Sequence, residues 1–421
     1  MLKKIYIIFT CVLGNALEFY NFVIYGAFSV VIGQLYFPSC DANVSLFATL
    51  GTFASGFLMR PFGAAILGSI GDKVGRKRAL SFSILLMGIP SIVISILPTY
   101  NVIGIFAPLL MILCRLVQGF SAGGEYNGAA IFALEHVGKN FPGLVGGFIS
   151  ASCVLGALTA MILAKTSIAI DENSEFLWRI PFLLGGMLSF LGLYMRKNLS
   201  ESAVFTKGGK SDSNKKKKIG ELHLFKIFKK RKKMFFVTSC IGAVDGVLCY
   251  TLFGFLSIYL SLYVKMPLNL ALEASSYGLL SCMFASPIMG YILDRVGASY
   301  FLQAASIIVG ILVYPVFLLM QYGTFYSVVL AQILFGAFTA SISGAFHAYV
   351  QKLFPVKERY TGISFSFNLG SALFGGTAPL ILTFLIVETG NLYMPAVYIS
   401  FWMIIFYMAL NTIKKIEIQE E

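Results

Sequence analysis

The sequence predicts an all-α integral membrane protein of twelve transmembrane helices, arranged as two six-helix pseudo-repeats. Three observations carry this reading: the composition, the length of the apolar runs, and a loop pattern that occurs twice. Of 421 residues, 57% are hydrophobic and only 12% are charged, about half the charged share of an average soluble domain. The apolar runs repeatedly reach the ~20 residues that a helix needs to cross a bilayer core. Finally, Gly68-Ser-Ile-Gly-Asp72-Lys-Val-Gly75 recurs as Gly290-Tyr-Ile-Leu-Asp294-Arg-Val-Gly297. Each copy follows the second apolar run of its half, as a duplicated bundle requires.

In chain order the predicted spans are 5–32, 45–70, 79–98, 103–134, 142–164, 177–195, 234–264, 270–293, 298–320, 324–350, 361–388 and 394–413. The first begins behind Lys3 and Lys4 and has the look of an export leader. It runs too far, however, carries Glu18 in its middle and lacks a small-x-small cleavage site, so it reads as a retained helix. Residues 1–196 then form one six-helix bundle, 197–233 a basic cytoplasmic linker, and 234–421 a second bundle with a short cytoplasmic tail.

The net charge of +13 invites a nucleic-acid reading until the positions of the basic residues are considered. With the N-terminus inside, 27 of the 32 Lys and Arg fall in loops or tails on the same side as that terminus. Loops retained in the cytoplasm carry such an excess, so the charge reports topology, and both termini are expected in the cytoplasm of a bacterial inner membrane. The linker's runs, Lys215 to Lys218 and Lys229 to Lys233, read as topogenic charge beside an anionic leaflet. No nucleic-acid partner is expected.

Six of the seven cysteines, Cys11, Cys114, Cys153, Cys240, Cys249 and Cys282, lie in apolar runs without metal-ligand spacing, and only Cys40 lies in a loop. No disulfide, metal or cofactor is expected. No nucleophile with a base and no phosphate-cradling loop stands out, so enzymatic chemistry is not expected.

The first copy of the repeated loop continues into Arg76-Lys77-Arg78. Its glycines permit a tight turn, and a carboxylate followed by cations can brace neighbouring helix ends through charge pairing and helix dipoles. A brace that forms in only one state is a gate. Gly68, Asp72, Gly75, Arg76, Arg78 and Glu135, with Gly290, Asp294, Arg295 and Arg359, are the candidate cytoplasmic gate residues.

Charges in the middle of a span cost roughly 2.5 to 3.5 kcal/mol on insertion scales, so they turn to a cavity or to an opposite charge. Glu18, Arg60, Arg115 and Glu125 stand out, two carboxylates and two guanidiniums able to neutralise each other. At about 100° per residue, Asn15, Glu18, Asn21 and Tyr25 share one face of the first helix. Gln118, Glu125 and Tyr126 lie to either side of Arg115 on the fourth. Such residues also serve as helix-to-helix contacts, as Asp245 in the seventh helix and His347 in the tenth can.

The repeated loop resembles the signature loop of the major facilitator superfamily. Gly14-Asn-Ala-Leu-Glu18-Phe-Tyr-Asn21-Phe, Arg60-Pro-Phe-Gly63, Gln118-Gly-Phe-Ser-Ala-Gly-Gly-Glu125-Tyr-Asn-Gly128, Trp178-Arg-Ile-Pro-Phe182 and Phe354-Pro-Val-Lys-Glu-Arg359-Tyr360 together resemble its metabolite:proton symporters. Two departures stand out: Asn21 occupies a position where that family usually has an aspartate, and Pro142 precedes Gly143 where it commonly has an arginine. Some osmosensing members of the family carry a long C-terminal coiled coil, which is not found before Glu421, so osmotic activation is not among the expectations.

The resemblance implies a monomeric secondary transporter that carries a small zwitterion, such as proline or glycine betaine, with a proton by alternating access. An arginine would hold the solute carboxylate through a bidentate fork, and a carboxylate or aromatic face its cationic nitrogen. A carboxyl group in an apolar cavity holds a proton more readily than one in water, so Glu18 or Glu125 would couple proton entry to transport. A relative carrying a small carboxylate such as 2-oxoglutarate or citrate is the nearest alternative, and a non-transporting sensor or scaffold is an alternative of another class.

Overall fold

The computed structural model describes residues 2–39, 42–137, 140–170, 176–202, 204–206 and 221–413. Cys40, Lys139, Lys215 to Lys218, Lys414 and Lys415 lie outside the described residues. Every regular element among the described residues is helical. In order these are α1 (Leu2–Ala27), α2 (Ser29–Tyr36), α3 (Ala42–Lys73), α4 (Arg76–Ile96), α5 (Tyr100–Ile103), α6 (Phe106–Val137), α7 (Pro142–Ile170) and α8 (Arg179–Lys197). After these come α9 (Glu221–Lys230), α10 (Lys232–Tyr250), a π-helical turn (Thr251–Phe255), α11 (Leu256–Leu262), α12 (Leu268–Val296) and α13 (Ala298–Gln321). The chain continues with α14 (Phe325–Ser343), α15 (Phe346–Leu353), α16 (Arg359–Gly370), a second π-helical turn (Ser371–Gly375), α17 (Ala378–Thr389) and α18 (Met394–Ile413).

Among the described residues, ten helical stretches are long and apolar enough to cross a membrane. The two other predicted spans fall on α3, of 32 residues, and α8, of 19. At ~1.5 Å per residue α3 is about 48 Å long, well beyond a core of ~30 Å.

Residues 1–136 and 152–224 form one compact unit, and residues 137–151 and 225–421 a second. In the first, α3 and α6 pack backbone to backbone. A Cβ at Gly119 would fall on Gly56, one at Gly123 on the Arg60 carbonyl and Ala64, and one at Gly63 on Phe120. Small residues are what let membrane helices approach this closely, so the glycines of the 118–128 motif are first of all packing residues. Gly123→Val should therefore force α3 from α6 and lower the thermal midpoint of the detergent-purified protein by several degrees. Gly51→Ala, with nothing within 4 Å of the added carbon, should leave it unchanged or raise it. Equal midpoints for the two variants would contradict this packing.

The second unit uses the same device: Gly278 faces Gln332 and Gly336 faces Gly278 between α12 and α14, while Gly242 faces Phe367 and Gly370 faces Ser239 between α10 and α16. The repeated loop is built alike in both units. Gly75 has φ +131° and Gly297 has φ +100°, a region that residues with a Cβ rarely adopt. Each glycine turns the chain sharply from one long helix into the next.

Four predicted spans depart locally from regular α-helix. The first breaks at Phe28 between α1 and α2, and the tenth breaks at Gly344-Ala345. A Cβ at Gly344 would meet the backbone of Ser286, so close packing on α12 is kept at the break. The seventh and eleventh contain the π-helical turns, and Gly375 of one approaches Gly246 of α10. The linker also holds a helix that the sequence reading treated as plain hydrophilic chain. In α9, Ile227 is buried while Phe225 and Phe228 are exposed beside the lysines.

Candidate functional site

The membrane-embedded charges of the first unit form two groups. In the first group, Glu18 of α1, Glu125 of α6 and Arg196 of α8 are all buried. Arg196 grips Glu125 through both terminal nitrogens: Nη2 donates to Oε1, and Nη1 donates to Oε2 at 3.0 Å. Nη1 also donates to the Leu80 carbonyl, and Ser83 Oγ donates to Glu125 Oε2. A bidentate pair with its remaining lone pairs satisfied is the arrangement in which a buried ion pair is tolerated.

Glu18 differs. Its buried Oε2 accepts no hydrogen bond among the described residues. It lines a narrow gap together with Gly14, Ile84, Met87, Ser121, Glu125 and Ser189. Two carboxyl groups thus face one small space, and one of them holds a guanidinium.

In the second group, Arg60 of α3 and Arg115 of α6 share the ring of Phe22. Their guanidinium carbons lie 4.5 and 4.7 Å from its centroid. Arg60 also lies over Phe57 and Arg115 over Tyr25. Arg115 donates to Gln118 Oε1 at 2.8 Å, and Gln118 Nε2 donates to Ser91 at 2.8 Å. Tyr25 donates to the Thr49 carbonyl at 3.4 Å. The expectation that Glu18, Arg60, Arg115 and Glu125 neutralise each other is therefore corrected for Glu125, whose ion pair is with Arg196. Aromatic faces lie against both Arg60 and Arg115, and the Gln118 amide accepts from Arg115.

The other two first-unit candidates are less central. Asn21 donates to the Leu17 carbonyl at 2.8 Å and reaches Gly185 and Ser189 at 3.4 Å. This joins α1 to α8 and touches the gap only through Ser189. Tyr126 packs edge-on against Phe19, with ring centroids 5.9 Å apart.

The first-unit loop forms a closed ionic brace. Arg76 Nη1 donates to Asp72 Oδ1 at 2.9 Å, and Nη2 lies 3.5 Å from Glu135 Oε1. Ser202 Oγ donates to Glu135 Oε2 at 2.6 Å, and Glu201 accepts the Lys77 N–H at 3.2 Å. The ends of α3, α4 and α6 are thereby tied to the segment after α8. Gly68 is buried in the last turns of α3, and a Cβ at Gly75 would fall on Glu201. Arg78, by contrast, is exposed and takes no part in the brace, because it sits two residues round the helix from Arg76.

In the second unit Asp294 does a different job. Its two oxygens accept the N–H groups of Gly143 at 2.7 Å and Leu144 at 2.9 Å. An anion thus caps the first turn of α7, where Pro142 is well placed because it has no N–H to satisfy. Gly290 lets its backbone meet that of Gly143. Asp294→Ala should cost about 1 kcal/mol, the usual loss of a capping group, read as a lower unfolding midpoint. An unchanged midpoint would remove the capping role.

Arg295 binds no carboxylate among the described residues and is exposed, donating to Tyr291 Oη at 2.8 Å. Arg359 donates to the Phe354 carbonyl at 3.2 Å, while the ion pair of that loop joins Arg231 to Glu358 at 2.7 Å. Asp245 Oδ1 accepts from Ser343 at the end of α14 and lies 3.9 Å from Cys249 Sγ.

Sequence reasoning missed Arg196, which it counted among the cytoplasmic cations. The signal was present. Gly185, Ser189, Gly192 and Arg196 fall within about 60° on a helix, so the small-residue face of α8 ends in a guanidinium aimed inward. Ser83, Glu201 and Ser202 carried no comparable pattern.

Comparison with known proteins agrees with this architecture. The model of the Major Facilitator Superfamily matches residues 12–379. The glycine betaine/proline/ectoine/pipecolic acid transporter OusA of Dickeya dadantii is 33% identical over 397 residues, covering 92% of this chain and 78% of that protein. The proline/betaine transporter of Salmonella typhimurium is 32% identical over 405 residues, 92% of this chain and 79% of that protein. Among solved structures, the proton:xylose symporter XylE bound to 6-bromo-6-deoxy-D-glucose superposes with a TM-score of 0.75 at 13% identity, covering 98% of this chain and 95% of that one. At that identity the likeness speaks for the fold alone, whereas the family match and the relatives speak for descent. The chain therefore belongs to the major facilitator superfamily, a twelve-helix, multi-pass secondary transporter of a small solute and not an enzyme.

Proposed function

We propose that the chain is a proton-coupled symporter of a small zwitterion such as proline or glycine betaine. It works by alternating access in a bacterial inner membrane, with both termini in the cytoplasm and as a monomer. The observation that carries the coupling is Glu18, a buried carboxyl whose Oε2 has no hydrogen-bond donor, beside an ion pair that already occupies Glu125. An ionised carboxylate with no donor in a membrane interior is costly, whereas the neutral acid is tolerated. Glu18 is therefore the proton carrier, and Glu125 remains the ionised partner of Arg196.

Arg60 and Arg115 are the groups for the solute carboxylate, and the rings of Phe22, Phe57 and Tyr25 supply faces for a cationic nitrogen. The relatives' names support the zwitterion. Two guanidiniums on one ring support the second reading, a small carboxylate such as 2-oxoglutarate or citrate. The Asp72–Arg76–Glu135 brace and the Asp294 cap are the gate elements. A purely sensory or scaffolding role predicts no transport at all.

Purified protein in proteoliposomes, under an imposed inward proton gradient, should accumulate labelled proline or betaine. Accumulation of 2-oxoglutarate alone would transfer the assignment to the carboxylate reading. Absence of gradient-dependent uptake of any of the three would remove the proposed substrates.

A further inference from the structure

The seat of Arg196 is cut out of α1. A Cβ at Gly14 would fall on Arg196 Nη2, and it would lie 3.3 Å from Glu125 Oε1. Gly14 precedes Glu18 by four residues, one turn of the same helix, or about 6 Å along its axis. The guanidinium therefore packs where α1 has no side chain, one turn from Glu18 on the same face of that helix. Among the described residues, the charged groups that act on Glu18 are Glu125 from α6, Arg60 from α3 and Arg196 from α8. Cys11, three residues before Gly14, is a buried thiol that lines a second small gap with Arg196. Of the cations, Arg60 is packed between the rings of Phe22 and Phe57, while Arg196 is held by a carboxylate and a carbonyl.

We propose that Arg196 is the movable arm of the proton site, clamped on Glu125 while Glu18 carries its proton and drawn one helical turn across Gly14 towards Glu18 when that proton leaves. This rests on Glu18 being the proton carrier, as argued above. The physical reason is competition. Two ionised carboxylates cannot share one small, water-poor gap without a cation between them, and attraction there is several-fold stronger than in water. A side chain with four rotatable bonds can cross one turn by changing rotamers. Its departure from the Leu80 carbonyl and from Glu125 would loosen α8 from α4 and α6, turning loss of a proton into a change of helix contacts. Arg196 is thus a positioning residue, acting through Glu18 rather than on the solute.

The test is difference infrared spectroscopy of the full-length protein in liposomes during a pH titration, with Glu18→Gln and Glu125→Gln assigning the bands. As the carboxylic-acid band of Glu18 is lost on raising pH, the carboxylate band of Glu125 should shift in the same step. Glu18→Gln should abolish that shift. Transport should follow. In Arg196→Gln, the midpoint of proton-driven uptake should move up by about one pH unit or more, since removal of a nearby cation disfavours the ionised carboxyl. Arg196→Lys, which keeps the charge, should recover at least half of that displacement. A Glu125 band that does not respond while Glu18 titrates would overturn the arm and leave the proton carrier standing. If no Glu18 band titrates in the wild type, the carrier itself is wrong. A parallel fall of uptake and exchange in Arg196→Gln and Arg196→Lys at every pH would show a merely structural role and also overturn the proposal.

Discussion

Glu18→Gln should abolish proton-driven accumulation while leaving solute exchange intact. The substitution keeps size and shape and imitates the protonated acid, so the cycle of binding and reorientation survives. What is lost is the deprotonated state on which an inward proton gradient acts. One proton moving down 100 mV supplies about 2.3 kcal/mol, enough for roughly 50-fold accumulation. Labelled solute in Glu18→Gln proteoliposomes should therefore settle near equal concentrations on both sides, while counterflow against internal unlabelled solute proceeds within a few-fold of the wild-type rate. Retained accumulation would exclude Glu18 as the essential carrier.

The second large effect concerns stability. Glu125→Ala would leave the buried Arg196 guanidinium without its carboxylate, and loss of one member of a buried pair typically costs about 3 to 5 kcal/mol. Thermal unfolding in detergent should show a fall of many degrees, or loss of the folded monomer. The double variant Glu125→Leu with Arg196→Met removes both charges together and should recover most of that stability, since apolar replacement of a whole buried pair is often nearly neutral. A single variant as stable as the wild type would mean that water already reaches the pair.

Particular residues show what a membrane sequence makes legible. Helix number followed from apolar length and the repeated loop, because the bilayer leaves backbone no alternative to internal hydrogen bonding. Gly75 and Gly297 were visible as turn residues because a pattern ending in glycine at the same place in each half signals one backbone requirement, now seen as two positive φ angles. Charge pairing was less legible. Glu18, Arg60, Arg115 and Glu125 were all identifiable as buried, but burial does not state a partner. Arg196 lay at a helix end, where topology already accounts for a cation, so its inward aim was hidden by a sufficient other reason. Asp294 as the cap of α7 depends on contact between residues some 150 apart in sequence, which no local period encodes. The breaks at Phe28 and Gly344 were likewise invisible, because an apolar run has the same composition whether it forms one helix or two.

The coupling is tested most directly by recording internal pH and labelled proline or betaine together in proteoliposomes that start with no proton gradient. Added outside solute should acidify the interior of wild-type vesicles in step with its entry, and should enter Glu18→Gln vesicles preloaded with unlabelled solute without any acidification. Wild-type entry without proton movement, or acidification that persists in Glu18→Gln, would contradict the assignment of Glu18 as the group that carries the proton.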